Sequence, residues 1–197
     1  MKVQLYSVNT NNYEKSESKH ILIDDIHCSL MVGNLGSDRL YKMFPHKFFG
    51  ADISVYCDAN MTLVKPERLL ELCETLINSV QSAIFFKHPD RTSTRQEILE
   101  CISRQLLPST ALQTYNRWRT EGFKDDINLM ENNVLIRKTN CTDLQKCEDV
   151  WYDEYKKGMM RDQPILPYAI WKTNYTNFIL MEQQVKEDIF KWRPHGC

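Results

Sequence analysis

The chain has 197 residues, 42% of them hydrophobic and 26% charged, with a formal net charge of -1. That length gives about one domain whose core needs no disulfides. The near-neutral charge excludes a global electrostatic attraction to nucleic acid or anionic membranes, and no apolar run approaches the ~20 residues of a membrane span. The first residues, Met1-Lys-Val-Gln-Leu-Tyr-Ser-Val8, lack a signal-peptide core and read as a strand that starts at once. Seven cysteines (28, 57, 73, 101, 141, 147 and 197) are odd in number and lack the close spacing of a zinc site. Cys57, Cys73 and Cys101 fall on apolar faces, as reduced structural thiols do, which points to the cytoplasm.

In chain order, Val3 to Val8 is β-prone and runs into a polar turn, Asn9 to Tyr13, then a charged loop, Glu14 to His20. Ile26 to Val32 reads as a second strand, closed by Gly33-Asn-Leu-Gly36, whose glycine spacing fits no phosphate loop. Asp38 to His46 predicts a short helix ended by Pro45, with Arg39 and Lys42 on one face; a solvated basic face is the plainer reading of that pair.

The next stretch organises the rest. Ile53 to Cys57 is an apolar, β-prone run that ends on Asp58-Ala59-Asn60 before Met61 to Val64 resumes the pattern. Asp58 and Asn60 would therefore stand at the C-terminal end of a buried strand, where α/β folds gather ligands. Both carry oxygen donors suited to a hard cation such as Mg²⁺ or Mn²⁺, although Asp and Asn are also ordinary turn residues.

Pro66 opens a helix whose stripe is Leu69, Leu70, Cys73, Leu76, Ile77 and Val80, and Ala83 to Lys87 is a compact strand. His88-Pro-Asp-Arg91 follows that strand as a polar cluster. Thr92 to Leu106 predicts a helix with Ile98, Leu99, Ile102 and Leu106 inward; Pro108 to Thr120 predicts another, stopped at Gly122. Asn132 to Lys138 is a strand, and Thr142 can cap a helix reaching Gly158 with Val150, Trp151 and Tyr155 inward. Arg161-Asp162-Gln163 leads into an apolar helical segment, and Asn177 to Met181 reads as a last strand. Strands alternating with helices imply one α/β domain over residues 1–197, a central mixed, mostly parallel sheet flanked by helices. The tail, Lys191 to Cys197, reads as the N-terminal part of a longer chain breaking off.

The order Arg39-x-x-Lys42-x-x-Pro-His46, Ser-Val-Tyr-Cys-Asp58-Ala59-Asn60, Phe-Lys-His88-Pro-Asp-Arg91, Glu131-Asn-Asn-Val-Leu-Ile-Arg137 and Arg161-Asp162-Gln163 resembles the GT-A nucleotide-diphospho-sugar transferases of bacteria, plants and large DNA viruses. The likeness spans Val3 to His195 and looks nearest to the N-terminal glycosyltransferase domain of a chlorovirus protein. It implies a Leloir-type transferase moving a hexose or deoxyhexose from a UDP-sugar to a glycan acceptor with Mn²⁺ or Mg²⁺. The oligomeric state is left open, with a monomer as the default, and the expected compartment is the cytoplasm, that of the host if the protein is viral.

The resemblance also assigns roles. Asp58-Ala59-Asn60 stands where the family carries Asp-x-Asp, with Asn60 a departure that supplies an oxygen without charge. His195 would be a third metal ligand. Thr10, Asn12 and Tyr13 would hold the base and ribose; Arg39, Lys42 and Lys191 or Arg193 the phosphates; His88 and Arg91 the donor sugar. Asp162 and Gln163 would act beside the reacting carbon. Plainer roles are open to several: His88 as a strand-end cap, Arg91 as a partner of Asp90 or Glu97, Asp162 as a helix N-cap. Two other functions compete: a sugar-phosphate nucleotidyltransferase, whose glycine- and lysine-rich loop is missing from Thr10 to Lys15, and a binding domain without turnover, which Asn60 favours.

Overall fold

The computed structural model describes residues 1–10, 26–33 and 38–193. Its elements run β1 (Val3–Thr10), β2 (Ile26–Gly33), α1 (Asp38–Met43), a 3-10 turn (Pro45–Lys47), β3 (Ile53–Cys57), β4 (Met61–Leu63), α2 (Pro66–Ile77) and β5 (Ala83–Phe86). There follow α3 (Thr94–Ser103), α4 (Ala111–Thr120), β6 (Val134–Lys138), α5 (Thr142–Lys156), α6 (Ile165–Thr173), β7 (Phe178–Met181), α7 (Gln183–Ile189) and β8 (Phe190–Trp192). The chain divides into two compact units, the first holding Met1–Phe86, Asn133–Cys141 and Asn177–Cys197, the second Lys87–Asn132 and Thr142–Thr176.

The first unit is built on a six-stranded sheet in the order β2-β1-β3-β6-β5-β7. β1 pairs parallel with β2 and β3, β5 pairs parallel with β7, and β6 runs antiparallel to both neighbours, β3 and β5. Five strands therefore bring their C-terminal ends to one edge, and β6 alone starts there. This is the mixed, mostly parallel sheet expected from the sequence.

Strand parity sorts the side chains into two different faces. On one, Val3, Leu5, Ile53, Val55, Cys57, Ile84, Phe86, Val134 and Ile136 pack with Leu69, Cys73 and Leu76 of α2 and with Ile189 and Phe190. Each such aliphatic side chain contributes about 1.5–3 kcal/mol by leaving water. The opposite face is more polar. The register aligns Tyr6 with Tyr56 and Ser54 with Arg137, and α1 is held there by the hydroxyl of Tyr6 and the guanidinium of Arg137.

Several element boundaries differ from expectation. α1 stops at Met43 because Pro45 cannot continue it, and the proline opens a 3-10 turn instead. Val80 lies beyond the end of α2 and is 85% exposed. α3 spans Thr94 to Ser103, so Leu106 lies outside it; Leu106 and Leu99 are exposed, and the helix turns Thr94, Glu97, Ile98 and Cys101 inward. Ser93 caps it through Oγ, and the Asp125 carboxylate accepts the N–H groups of Thr94 and Arg95. Thr142 is the first residue of α5, and β7 is followed by α7 and β8.

The second unit is helical, with α5 packed on α6 and α3 against both α4 and α6. Trp118 stacks on Tyr168 at 4.6 Å, and Phe123 meets both edge-on. Around these rings runs an ionic lattice. Glu154, buried on α5, accepts from Arg117, from the Trp118 indole (2.8 Å) and from Lys157 (2.9 Å). Burial pushes the Glu154 carboxyl up, but those donors outweigh it and hold it below its ordinary range. Glu121 accepts from Lys172 (2.7 Å), Tyr168 (2.6 Å) and Arg117 (2.9 Å). The Lys172 ammonium, then the Tyr168 hydroxyl, hold its carboxyl down to about 2.

A carboxyl depressed in the fold stabilises it above the ordinary value of 4.5 and loses that contribution as the pH falls toward about 2. Glu121→Gln should therefore be less stable than the parent at pH 7, and the gap should close between pH 4.5 and about 2. Urea unfolding at several pH values measures this; a gap independent of pH would mean that charge at Glu121 is irrelevant.

Candidate active site

At the sheet edge where β3 ends, the chain turns at Asp58-Ala59-Asn60. The Asp58 N–H donates to the Asn133 carbonyl at 2.8 Å, and the Asp58 carbonyl accepts from the Met61 N–H at 2.9 Å. So the backbone is a tight turn, pinned from one side by the start of β6. From the other side comes β8, paired antiparallel with β4 through Met61 and Trp192. Beyond it the Arg193 N–H donates to the Asn60 carbonyl at 2.8 Å, and its guanidinium donates to the Ala59 carbonyl at 3.2 Å. Lys191 points elsewhere: its ammonium donates to the Glu187 carbonyl at 2.8 Å.

The side chain of Asp58 is 40% exposed and meets two groups through Oδ1. The Tyr56 hydroxyl donates to it at 2.6 Å, and the Lys42 ammonium stands 3.6 Å away. Lys42 is buried, with its ammonium 4.7 Å from the centre of the Tyr56 ring. The plainer reading of a solvated basic face fails for Lys42, because α1 turns it inward to a carboxylate and an aromatic ring. Arg39 remains half-buried and bonds Asp38 at 2.8 Å. Asn60 is buried rather than facing water. Cys57, just before the turn, is pushed up to about 12 by burial and so stays a thiol.

His88, Arg91, Asp162 and Gln163 belong to the helical unit. His88 accepts the N–H groups of Asp90 and Arg91 on Nδ1, both at 3.0 Å, and Arg91 bonds Glu97 at 2.6 Å. Burial, then the Arg91 guanidinium, push His88 below its ordinary value, so it is neutral at pH 7. The plainer roles, a cap and an ion pair, are thus realised at both residues. Asp162 is buried; its carbonyl accepts from the Trp151 indole at 2.7 Å and from the Ile165 N–H at 3.2 Å. α6 has Pro164 at its cap position, so Asp162 is not that helix's N-cap. Gln163 is half-buried beside it. Thr10 ends β1, level with Gly33 of β2; Asn12, Tyr13 and His195 lie outside the described residues.

Three residues of the edge were given no site role from the sequence. Tyr56 looks like one more apolar strand residue, yet its hydroxyl holds Asp58. Asn133 supplies the carbonyl that pins the turn, and its Oδ1 accepts from the buried Lys186 of α7 at 3.0 Å. No local signal marks Lys186, because its partner is 53 residues away.

Among the described residues no group of three or more His, Cys, Asp or Glu side chains gathers as a metal-ligand cluster. Asp58 nonetheless fits a hard cation. Its contacts among the described residues all fall on Oδ1, and its exposure leaves Oδ2 open to solvent. Mg²⁺-type ions commonly take one or two carboxylates and complete their shell with water and substrate phosphate.

No protein family's profile matches the chain, and no curated protein does. Among solved structures it is similar to a glycosyltransferase involved in the glycosylation of the major capsid of PBCV-1, at 9% identity and a TM-score of 0.55. That match covers 100% of this chain and 95% of the other. It is also similar to the bifunctional glycosyltransferase WbbM, at 8% identity and a TM-score of 0.51, over 91% of this chain and 38% of that one. At such identities the likeness is one of fold: the chain has the GT-A-like fold of glycosyltransferases, as its motif order implied.

Removing the hydroxyl that holds Asp58, in Tyr56→Phe, should cost about 1–2 kcal/mol, since hydrogen bonds to charged groups are the stronger kind. Thermal or urea denaturation measures it; a variant as stable as the parent would show that the bond adds no net stability.

Proposed function

We propose that the chain is a glycosyltransferase that takes a sugar from a nucleoside-diphosphate donor, with uridine as its base, and passes it to a glycan acceptor. The observation that carries this reading is the pairing of an open carboxylate with a buried ammonium at the edge where five strands end. That edge is where open α/β sheets bind ligands.

Asp58 would hold Mn²⁺ or Mg²⁺ through Oδ2. When bound, the ion supplies Lewis acidity to the departing diphosphate. The chain's own residues do the rest. Lys42, kept out of water, presents a fixed positive charge beside the same carboxylate, where it favours an anionic leaving group. Tyr56 fixes the Asp58 rotamer, so Oδ2 and not Oδ1 is offered. Arg193 anchors the turn backbone, and Arg39 adds a second cation on α1. Asp162 and Gln163 carry the proposed contacts to the transferred sugar, with Asp162 as base or as stabiliser of the positive anomeric carbon.

Calorimetric titration with UDP, UDP-glucose and GDP-mannose, with and without Mn²⁺, tests this. Uridine-selective binding that requires Mn²⁺ and is lost in Asp58→Ala is the expected result. Binding indifferent to both metal and Asp58 would reduce Asp58-Ala59-Asn60 to a turn. Asp162→Asn should keep donor affinity and lower donor turnover about 10²-fold or more. A parent that binds donor but never cleaves it would favour the binding-domain reading.

A further inference from the structure

Arg137 is the fourth of the five residues of β6, with 1% of its surface exposed. A guanidinium is always charged, and burying one costs several kcal/mol unless its donors are satisfied. An apolar side chain would cover the same sheet face without that cost, so the position of the arginine calls for a reason. Its Nη2 donates to the carbonyl of Lys42 at 2.7 Å and to the hydroxyl of Tyr6 at 2.7 Å. The same hydroxyl lies 3.4 Å from the Lys42 carbonyl and closes the triangle.

That carbonyl is in the last turn of α1, where carbonyls have no partner within the helix. A cation there also meets the negative end of the helix dipole. α1 has six residues, too few to be stable alone, so its placement depends on what grips it. Arg137 grips the backbone of the very residue whose ammonium stands 3.6 Å from Asp58.

We propose that Arg137 is a positioning residue: by clamping the Lys42 carbonyl, with Tyr6, it seats the Lys42 ammonium beside Asp58. The consequence for donor binding rests on the transferase reading; the seating does not.

Two measurements test it. In the first, the folded protein is acetylated with N-hydroxysuccinimidyl acetate and the lysines are followed by mass spectrometry. Lys42 and Lys186, both buried, should react slowly, and the exposed Lys47 quickly. In Arg137→Met, Lys42 should approach the rate of Lys47 while Lys186 stays protected. Lys42 protected as before would overturn the proposal, and so would loss of protection at both buried lysines, which marks general loosening. Tyr6→Phe removes one corner of the triangle with less disturbance and should deprotect Lys42 in part, so the test survives if Arg137→Met fails to fold.

In the second, UDP affinity is measured for Arg137→Met, Lys42→Met and the pair together. Each single change should weaken binding about tenfold or more, and the double variant should be no weaker than the worse single. Additive losses would mean that the arginine acts on its own. If the parent binds no nucleotide, the transferase reading fails, while the acetylation result still decides the seating.

Discussion

The donation from the Asp58 N–H to the Asn133 carbonyl is the constraint on which the candidate site depends. It exists because β6 runs against its neighbours. A sixth parallel strand would end at this edge; the reversed one begins here and offers a backbone acceptor to the residue that leaves β3. The acidic turn is thereby fixed to the sheet itself, without reliance on a neighbouring loop. With the backbone fixed, Tyr56 and Lys42 can address the carboxylate from the polar face of the sheet.

That polar face explains a division of labour between the two sides. The face packed on α2 carries the hydrophobic stabilisation. The other holds a tyrosine pair, a buried arginine and a short helix that could not persist alone. Stability is concentrated where chemistry is absent, and polar groups that cost stability are gathered around the carboxylate. The helical unit follows a different rule. Glu121 and Glu154 are each held by three donors, so charge is used there to fix packing beside the aromatic stack.

Much of this fold is written locally. β3 is legible because Ile53, Val55, Tyr56 and Cys57 make a β-prone, largely apolar run, and the acid that follows marks its end. α2 is legible from its proline and its stripe. Errors arise where a pattern outlasts its element: Val80 and Leu106 keep the helical period after the helix has stopped, and nothing in their identity reveals it. α7 and β8 escape because a seven-residue helix passing straight into a three-residue strand has too little room for either period. Lys42 is the instructive residue of the site. Lysine reads as surface, and Asp58 and Tyr56, which meet it in the buried site, are brought to it by tertiary structure.

The pairing of β4 with β8 has a consequence in time. Arg193 closes the acidic turn on a carbonyl 134 residues earlier in sequence. During synthesis the sheet core from β1 to β3 can form long before that clasp exists, since domains assemble as their segments emerge. The turn is therefore among the last parts of the first unit to acquire its native contacts, and contacts so far apart in sequence form slowly. A nascent chain would carry a formed strand with an unclasped Asp58, so binding competence should trail the appearance of secondary structure during folding.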